Sequence, residues 1–238
     1  MRLPRVVIWQ RIADVLAAEI ASGTVEAGAR LPTETALAQR FGVNRHTLRQ
    51  AVGALSAAGL VSVQHGRGTF VRPVPLVEYQ LGARTRFSEI LSRQSVLPDG
   101  ELLASRETLA TAEVSEILGL PSESPVMVLE ILRRANGQPL TVHTAYLPAP
   151  RFRGIDAAFR ETNSLTAAFR AFGVADYTRR STRIWTRLPT PEEAVLLRQR
   201  TDEPVLVMEA VNQDEEGRAI EFGVSRAAGQ RLQVLIAT

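Results

Sequence analysis

Asn44-Arg45-His46-Thr47-Leu48-Arg49 gathers an amide, two guanidinium groups and a hydroxyl within six residues. On a helix, Arg45 and Arg49 would share one face a single turn apart. A guanidinium can bond a guanine edge at two points or clamp a phosphate, and hydroxyls and helix-terminal amides suit phosphate oxygens. The same residues would equally make an ordinary solvated helix face. A second donor-rich stretch, His65-Gly66-Arg67-Gly68, carries little side-chain bulk. It could enter the minor groove of a duplex or be no more than a turn.

Other residues point to small-anion chemistry. Arg84-Thr85-Arg86-Phe87-Ser88-Glu89 opens an expected helix, whose free amides attract an anion. Arg133 and Arg134 are neighbours on an expected strand, so one must face the core. A buried arginine needs a carboxylate, with Glu130 and Glu221 available, or an anionic ligand. Asn163-Ser164 precedes another helix, where the hydroxyl either caps the helix or joins a site. His143 with Glu221 is the one acid–base pair to consider, and no Ser/His/acid group emerges from spacing.

Composition excludes more. There is no cysteine, so disulfides, thiolate metal sites and a cysteine nucleophile are absent. His46, His65 and His143 lie too far apart for metal-ligand spacing, and no metal or other cofactor is expected. No apolar run reaches the ~20 residues of a membrane span. The first ten residues lack the apolar core of a secretory leader. A cytoplasmic protein without membrane contact is the expectation. All 28 basic residues are arginine, and nine of them fall in residues 1–72 against four acids. The remainder holds 19 arginines against 21 acids. The excess of basic charge at one end favours a polyanion partner there.

The elements that would position these groups can be traced. Ile8, Ile12, Val15, Leu16 and Ile20 recur at helical spacing, and Ser22-Gly23 ends that helix. Gly28 and Pro32 mark a loop, and Thr33 caps a short helix through Leu37 and Arg40. After the turn Phe41-Gly42-Val43, Asn44 caps a helix with Leu48, Ala51, Val52 and Leu55 on its apolar face, ending at Gly59. Residues 60–64 and 69–71 form a hairpin, and Pro73 and Pro75 mark a linker. Strands are expected at 126–132, 140–146, 181–188 and 205–211. A repeat relates residues 109–113 to 188–192 and 125–130 to 204–209, both at an offset of 79 residues. Each copy continues into a hairpin turn, Asn136-Gly137 and Glu216-Gly217. The repeat predicts one antiparallel sheet with a pseudo-twofold axis and a ligand cleft between its halves. The chain is therefore expected to be α+β, with domains at 1–72 and 79–238 joined by a linker at 73–78.

The segments 28–34, 37–51 and 66–71 closely resemble the GntR family of bacterial regulators. The resemblance implies a winged helix-turn-helix, a homodimer on an inverted repeat of double-stranded operator DNA, and DNA contacts from Arg30, Thr33, Glu34, Asn44, Arg45, His46, Thr47, Arg49, His65, Gly66 and Arg67. Where the family often has Ser or Thr, this chain has Asn44 and His46. From about Tyr79, the segments 86–89, 133–139, 146–148, 163–165 and 220–222 resemble the UTRA effector domain of the HutC-like branch, whose fold is similar to chorismate lyase. In members binding phosphorylated sugars, the positions of Phe87, Ser88, Arg133 and Ser164 hold the phosphate and that of Glu221 the polar remainder. Many relatives have Arg at Ile131, Glu at His143 and an aromatic at Ala227. Residues 81–88, 176–180 and 211–214 further resemble PhnF-type regulators of phosphonate uptake and breakdown. Together these imply an anionic effector held by Arg84, Thr85, Arg86, Phe87, Ser88, Arg133, His143, Ser164, Tyr177 and Glu221, and repression relieved by that ligand. A lyase-like enzyme and a regulator whose second domain only dimerises are the alternatives.

Overall fold

The computed structural model describes residues 7–21, 24–26, 28–72, 76–82, 84–94 and 98–236. It divides into two compact units, one within Met1–Pro75 and one formed by Leu76–Leu197 with Thr201–Thr238. Ser22-Gly23, expected to end the first helix, and Pro73 and Pro75 of the expected linker lie outside the described residues.

In the first unit α1 (Ile8–Ala21), α2 (Glu34–Phe41) and α3 (Arg45–Ala57) precede a hairpin of β1 (Val61–Gln64) and β2 (Gly68–Val71). Local chemistry fixes the joints. Thr33 Oγ1 accepts the Ala36 N–H at 3.2 Å and starts α2. Gly42 ends that helix at φ 63°, its N–H turned back on the Ala38 and Gln39 carbonyls. Two residues later Asn44 Oδ1 accepts the Thr47 N–H at 2.8 Å and starts α3. Cap follows cap, so hydrogen bonds set the angle between the two helices. Leu37, Leu48, Ala51, Val52 and Leu55 then close against Ile12 and Leu16 of α1 and Leu60, Val61 and Val71 of the hairpin.

Residues 28–31, expected to be a loop, pair with the hairpin instead. The Leu31 N–H donates to the Thr69 carbonyl and the Val71 N–H to the Ala29 carbonyl, each at 2.8 Å, and Arg30 bridges Phe70. Burial of Leu31 draws this stretch inward, and its polar backbone is satisfied along the edge of β2.

The second unit runs β3 (Val77–Leu81), α4 (Phe87–Arg93), β4 (Pro98–Leu109), α5 (Ala112–Leu118), β5 (Pro125–Ala135), β6 (Gln138–Pro148), α6 (Ala149–Phe152), α7 (Ile155–Thr162), α8 (Leu165–Ala171), β7 (Thr178–Arg187), α9 (Pro191–Leu197), β8 (Val205–Gln213), β9 (Ala219–Ala228) and β10 (Leu232–Ile236). β3 and β10 form a parallel pair. The main sheet has the order β4-β5-β6-β9-β8-β7, antiparallel throughout. The 79-residue repeat carries β4, α5, β5 and β6 onto β7, α9, β8 and β9. The pseudo-twofold axis therefore runs between β6 and β9, as the repeat implies. The strand expected at 181–188 begins earlier, at Thr178, and stops before Leu188.

Strand alternation gives the sheet two unlike faces. Met127, Leu129, Ile131, Ala145 and Leu147 pack under Phe152, Phe159 and Phe169 of α6, α7 and α8. On the opposite face Val126, Val128, Val211 and Phe222 meet α5, while Leu132, Val142, Val205 and Val207 meet Leu197 of α9.

Asp214 closes the β8–β9 hairpin, accepting from the Arg218 backbone N–H and Nε, each at 2.9 Å, and from Arg151 Nη1 at 2.6 Å. Burial by itself would raise this carboxyl, but the hydrogen bonds from Arg151 and Arg218 outweigh it and hold the pKa at about 2, below the ordinary 3.8. The folded value lies below the unfolded one, so the stabilisation is present above about pH 4 and lost as pH falls toward 2. At neutral pH it amounts to about 2 kcal/mol. Urea unfolding of the wild type and Asp214→Asn across that acid range should show the difference between them shrinking as pH falls; a constant difference would refute the assignment.

Candidate functional site

The first unit leaves most of its expected DNA-contacting residues exposed. Arg30, Asn44, Arg45, His46, Arg49, His65, Gly66 and Arg67 are exposed, and Thr33 joins them just before α2. Their side chains are held lightly. Arg45 Nη2 donates to Thr35 Oγ1 at 3.0 Å, and Arg49 Nε meets Glu34 Oε2 at 2.9 Å in a solvent-exposed pair. Exposed pairs of this kind contribute little and are readily exchanged for phosphate. Arg30 lies over the hairpin tip because position 68 is glycine. A Cβ there would fall 2.5 Å from Arg30 Nε, and Gly68 has φ +118°. Thr33 and Asn44 spend their side-chain oxygens on helix caps, and Asn44 keeps its amide donors free of that cap.

In the second unit a cavity of about 160 Å³ opens between the sheet and α4, α7 and α8, the scale of roughly ten waters or one small metabolite. Both halves of the sheet line it. β5 gives Arg133, β6 gives His143, β9 gives Glu221, Gly223 and Ser225, β8 gives Asn212 and β7 gives Arg179. Phe87, Ser88, Ser164, Thr166 and Tyr177 close it from the other side. Ser88 Oγ and Ser164 Oγ stand 3.5 Å apart, and Thr166 Oγ1 is 2.8 Å from the Tyr177 hydroxyl.

Arg133 is the charge that defines this cavity. Its guanidinium lies over the Phe87 ring, 4.9 Å from the centroid, and among the described residues it makes no ion pair. Burial lowers its pKa, against the pull of Tyr79 and Glu221. Neither carboxylate considered as its partner takes that role. Glu130 accepts from the Thr144 hydroxyl and pairs with Arg226. Glu221 is engaged at both oxygens, Oε1 with His143 Nε2 at 3.0 Å and Oε2 with the Asn212 amide at 2.6 Å. Arg134, next along the strand, turns the other way to Asp99 and Glu101.

His143 sits at the centre of this corner. Its Nδ1 is 2.8 Å from Ser225 Oγ. Burial first, and the nearby Arg133 second, depress its pKa to about 4. The neutral ring then donates from Nε2 to Glu221 and accepts at Nδ1 from the Ser225 hydroxyl. Gly223 makes room for it, since a Cβ there would lie 2.7 Å from His143 Cε1. Spacing gave no Ser/His/acid group, yet the β6–β9 register sets His143 opposite Ser225. Alternation along β9 then brings Glu221 to the same face.

The expected effector residues divide. Thr85, Phe87, Ser88, Arg133, His143, Ser164, Tyr177 and Glu221 line the cavity, whereas Arg84 and Arg86 do not. Both of those arginines pair with Asp176, and Arg86 also with Glu89. The Thr85 hydroxyl is spent on Gly82, donating to its carbonyl and accepting its N–H. The helix expected to open near Arg84 begins at Phe87, and Arg86 provides no side-chain cap. Sequence reading missed Arg179, Asn212 and Ser225. The repeat held a clue to the second, because Asn212 is the counterpart of Arg133.

Two family models match the chain: bacterial regulatory proteins of the gntR family over residues 9–71, and the UTRA domain over residues 93–233. An uncharacterised HTH-type transcriptional regulator of Rhizobium meliloti (strain 1021) is 39% identical over 98% of this chain and 96% of its own. The HTH-type transcriptional repressor PhnF of Mycolicibacterium smegmatis is 32% identical, covering 86% of this chain and 82% of the relative. The crystal structure of PhnF from Mycobacterium smegmatis superposes with a TM-score of 0.62 at 28% identity, covering 98% of this chain and 99% of that one. These relatives are regulators, not enzymes. No helix among the described residues is long and apolar enough to cross a membrane.

A proton NMR titration should give His143 a midpoint near 4, below its ordinary 6.5. Because the folded value is depressed, stability is full above the ordinary value and falls as pH drops through this interval. Gly223→Ala should displace the ring and return the midpoint toward the ordinary value. A midpoint unmoved by that substitution would mean that Gly223 does not seat the ring.

Proposed function

The chain belongs to the GntR family of bacterial regulatory proteins and carries a UTRA domain, and from that membership we propose that it is a repressor released from its operator by a small anionic effector. Residues 1–72 form the reading head and residues 79–238 the effector domain, with 73–78 carrying the coupling between them. A homodimer places two reading heads on an inverted repeat. α3 enters the major groove with its N-terminus first, bringing Arg45, Thr47 and Arg49 to bases and phosphates. The hairpin tip at His65, Gly66 and Arg67, with Arg30 beside it, reaches the adjacent minor groove.

The observation that carries the effector reading is Arg133: a buried guanidinium in a cavity with no carboxylate paired to it. A phosphonate or phosphate head group supplies the missing counter-charge, and the Ser88 and Ser164 hydroxyls lie in the same cavity to hydrogen-bond it. Glu221, His143, Ser225 and Asn212 form the polar wall for the rest of the ligand. The effector shifts the operator equilibrium only as far as it prefers the dimer arrangement that cannot bind DNA. Phosphonate uptake or breakdown is the process whose genes such a regulator would control.

Fluorescence anisotropy on DNA from the protein's own upstream region tests both halves of this reading. Arg45→Ala should weaken binding by about tenfold or more and flatten the salt dependence by about one unit of slope. Methylphosphonate or a phosphate monoester should release the wild type from DNA and leave Arg133→Gln bound. DNA binding indifferent to Arg45 would sink the operator face. Release that survives in Arg133→Gln would sink the cavity as the effector site.

A further inference from the structure

The cavity holds a second guanidinium that the anion reading above does not use. Arg179 lies on β7, the edge strand of the other half of the sheet, and is paired in register with Asn212. The equivalent pair in the first half is Gly100 with Arg133. The 79-residue repeat maps Gly100 onto Arg179 and Arg133 onto Asn212, and all four residues line the same cavity. Each half of the sheet therefore contributes one arginine to the shared space, from opposite members of an equivalent cross-strand pair. Gly100 leaves no room for a side chain, since a Cβ would lie 3.0 Å from the Asn163 carbonyl and 3.1 Å from the Phe159 ring.

Arg179 is tethered by one bond, Nε to Asn212 Oδ1 at 3.2 Å, and among the described residues it makes no ion pair. Among the described residues, the one buried carboxylate at the cavity, Glu221, has both oxygens occupied by His143 and Asn212. Asp99 at the rim is half exposed and pairs with Arg134. Two guanidiniums thus face one cavity, Arg179 near enough to disfavour the charge on Arg133, and among the described residues neither is paired with a carboxylate.

We propose that Arg179 is a second anchor for the effector, and that the effector's head group is a dianion clamped between the two halves of the sheet. This rests on the anion reading but goes beyond it in naming the charge and the residue that selects it. Arg133 supplies affinity for any tetrahedral anion. Arg179 supplies the preference for two negative charges over one, because a monoanion satisfies one guanidinium and leaves the other, half-buried in the case of Arg179, without a counter-charge. The tether through Asn212 to Glu221 holds Arg179 in register with the corner that meets the remainder of the ligand.

Methyl phosphate and methyl sulfate share shape but carry close to two charges and one charge above pH 7. NMR titration of the full-length protein with each should show the wild type preferring methyl phosphate by about tenfold or more. Arg179→Gln should still bind both probes while that preference shrinks to about twofold, and Arg179→Lys should retain part of it. Arg133→Gln should bind neither. A wild-type preference preserved in Arg179→Gln overturns the proposal and leaves the anion site standing. Equal loss of both probes in Arg179→Gln also overturns it, making the residue a support for the fold. A wild type that binds neither probe refutes the anion reading itself.

Discussion

A guanidinium buried without a carboxylate is the constraint around which the second unit is arranged. Taking such a group out of water costs several kcal/mol unless something replaces its hydration. Here the replacement is incomplete: Arg133 has the face of Phe87 beneath it, hydroxyls nearby and the more distant pull of Glu221, but among the described residues no carboxylate is paired with it. An arginine used only to hold a strand would be paired, as Arg134 is one residue later with Asp99 and Glu101. Alternation along β5 separates the two fates. One guanidinium goes to surface carboxylates and the other into the cavity. On the function proposed, a bound anion would restore the stability that the unpaired guanidinium costs, and its binding would be linked to the order of everything packed around the site.

The other face of the same strands shows what a completed network looks like. Arg226, adjacent to Ser225 on β9, reaches Glu193, Glu130 and the Thr144 hydroxyl. Glu193 in turn takes both terminal nitrogens of Arg187 and the Thr190 backbone N–H. Its carboxyl is held below the ordinary range although burial alone would raise it. Charge on that face is closed upon itself and fixes α9 to the sheet. His143 and Thr144, or Ser225 and Arg226, are neighbours in sequence that serve opposite purposes, because alternation sends one to the cavity and the next to the scaffold. A rigid, satisfied scaffold on one side lets the other side remain unsatisfied without loss of register.

Much of this was legible from sequence, for reasons that differ by residue. Thr33, Asn44 and Gly42 act within a few positions of themselves, so their caps could be read locally. The repeat gave the sheet's pseudo-symmetry because each half carries the same order of strand, helix, strand and hairpin. What escaped depended on distant pairing. Arg84 and Arg86 read as anion ligands until the fold brings Asp176, about ninety residues away, between them. Ser225 could not be tied to His143 without the register of β6 against β9, where a slip of one residue would have turned it to the opposite face. Arg179 was hidden among four arginines on an edge strand that reads as a solvated surface. Residues 28–31 read as a loop because their partner strand lies some forty residues onward.

The two units handle charge by opposite rules, and that contrast follows from their solvent. Among the described residues of the first unit every arginine is exposed or lightly tethered, so exchanging Glu34 or Thr35 for phosphate would break little and gain the release of counterions. Specificity there has to come from placement, and placement is the work of Asn44, Thr33 and Gly68, which fix helix starts and the lie of Arg30. The cavity is walled by buried side chains such as His143, Asn212 and Glu221, and there a single unpaired charge weighs far more. Few groups are therefore needed, and recognition rests on matching charge as well as shape. A regulator needs both regimes. On the function proposed, the surface one would let DNA be bound and released at modest cost, and the buried one would let a small molecule deliver enough free energy to decide between them.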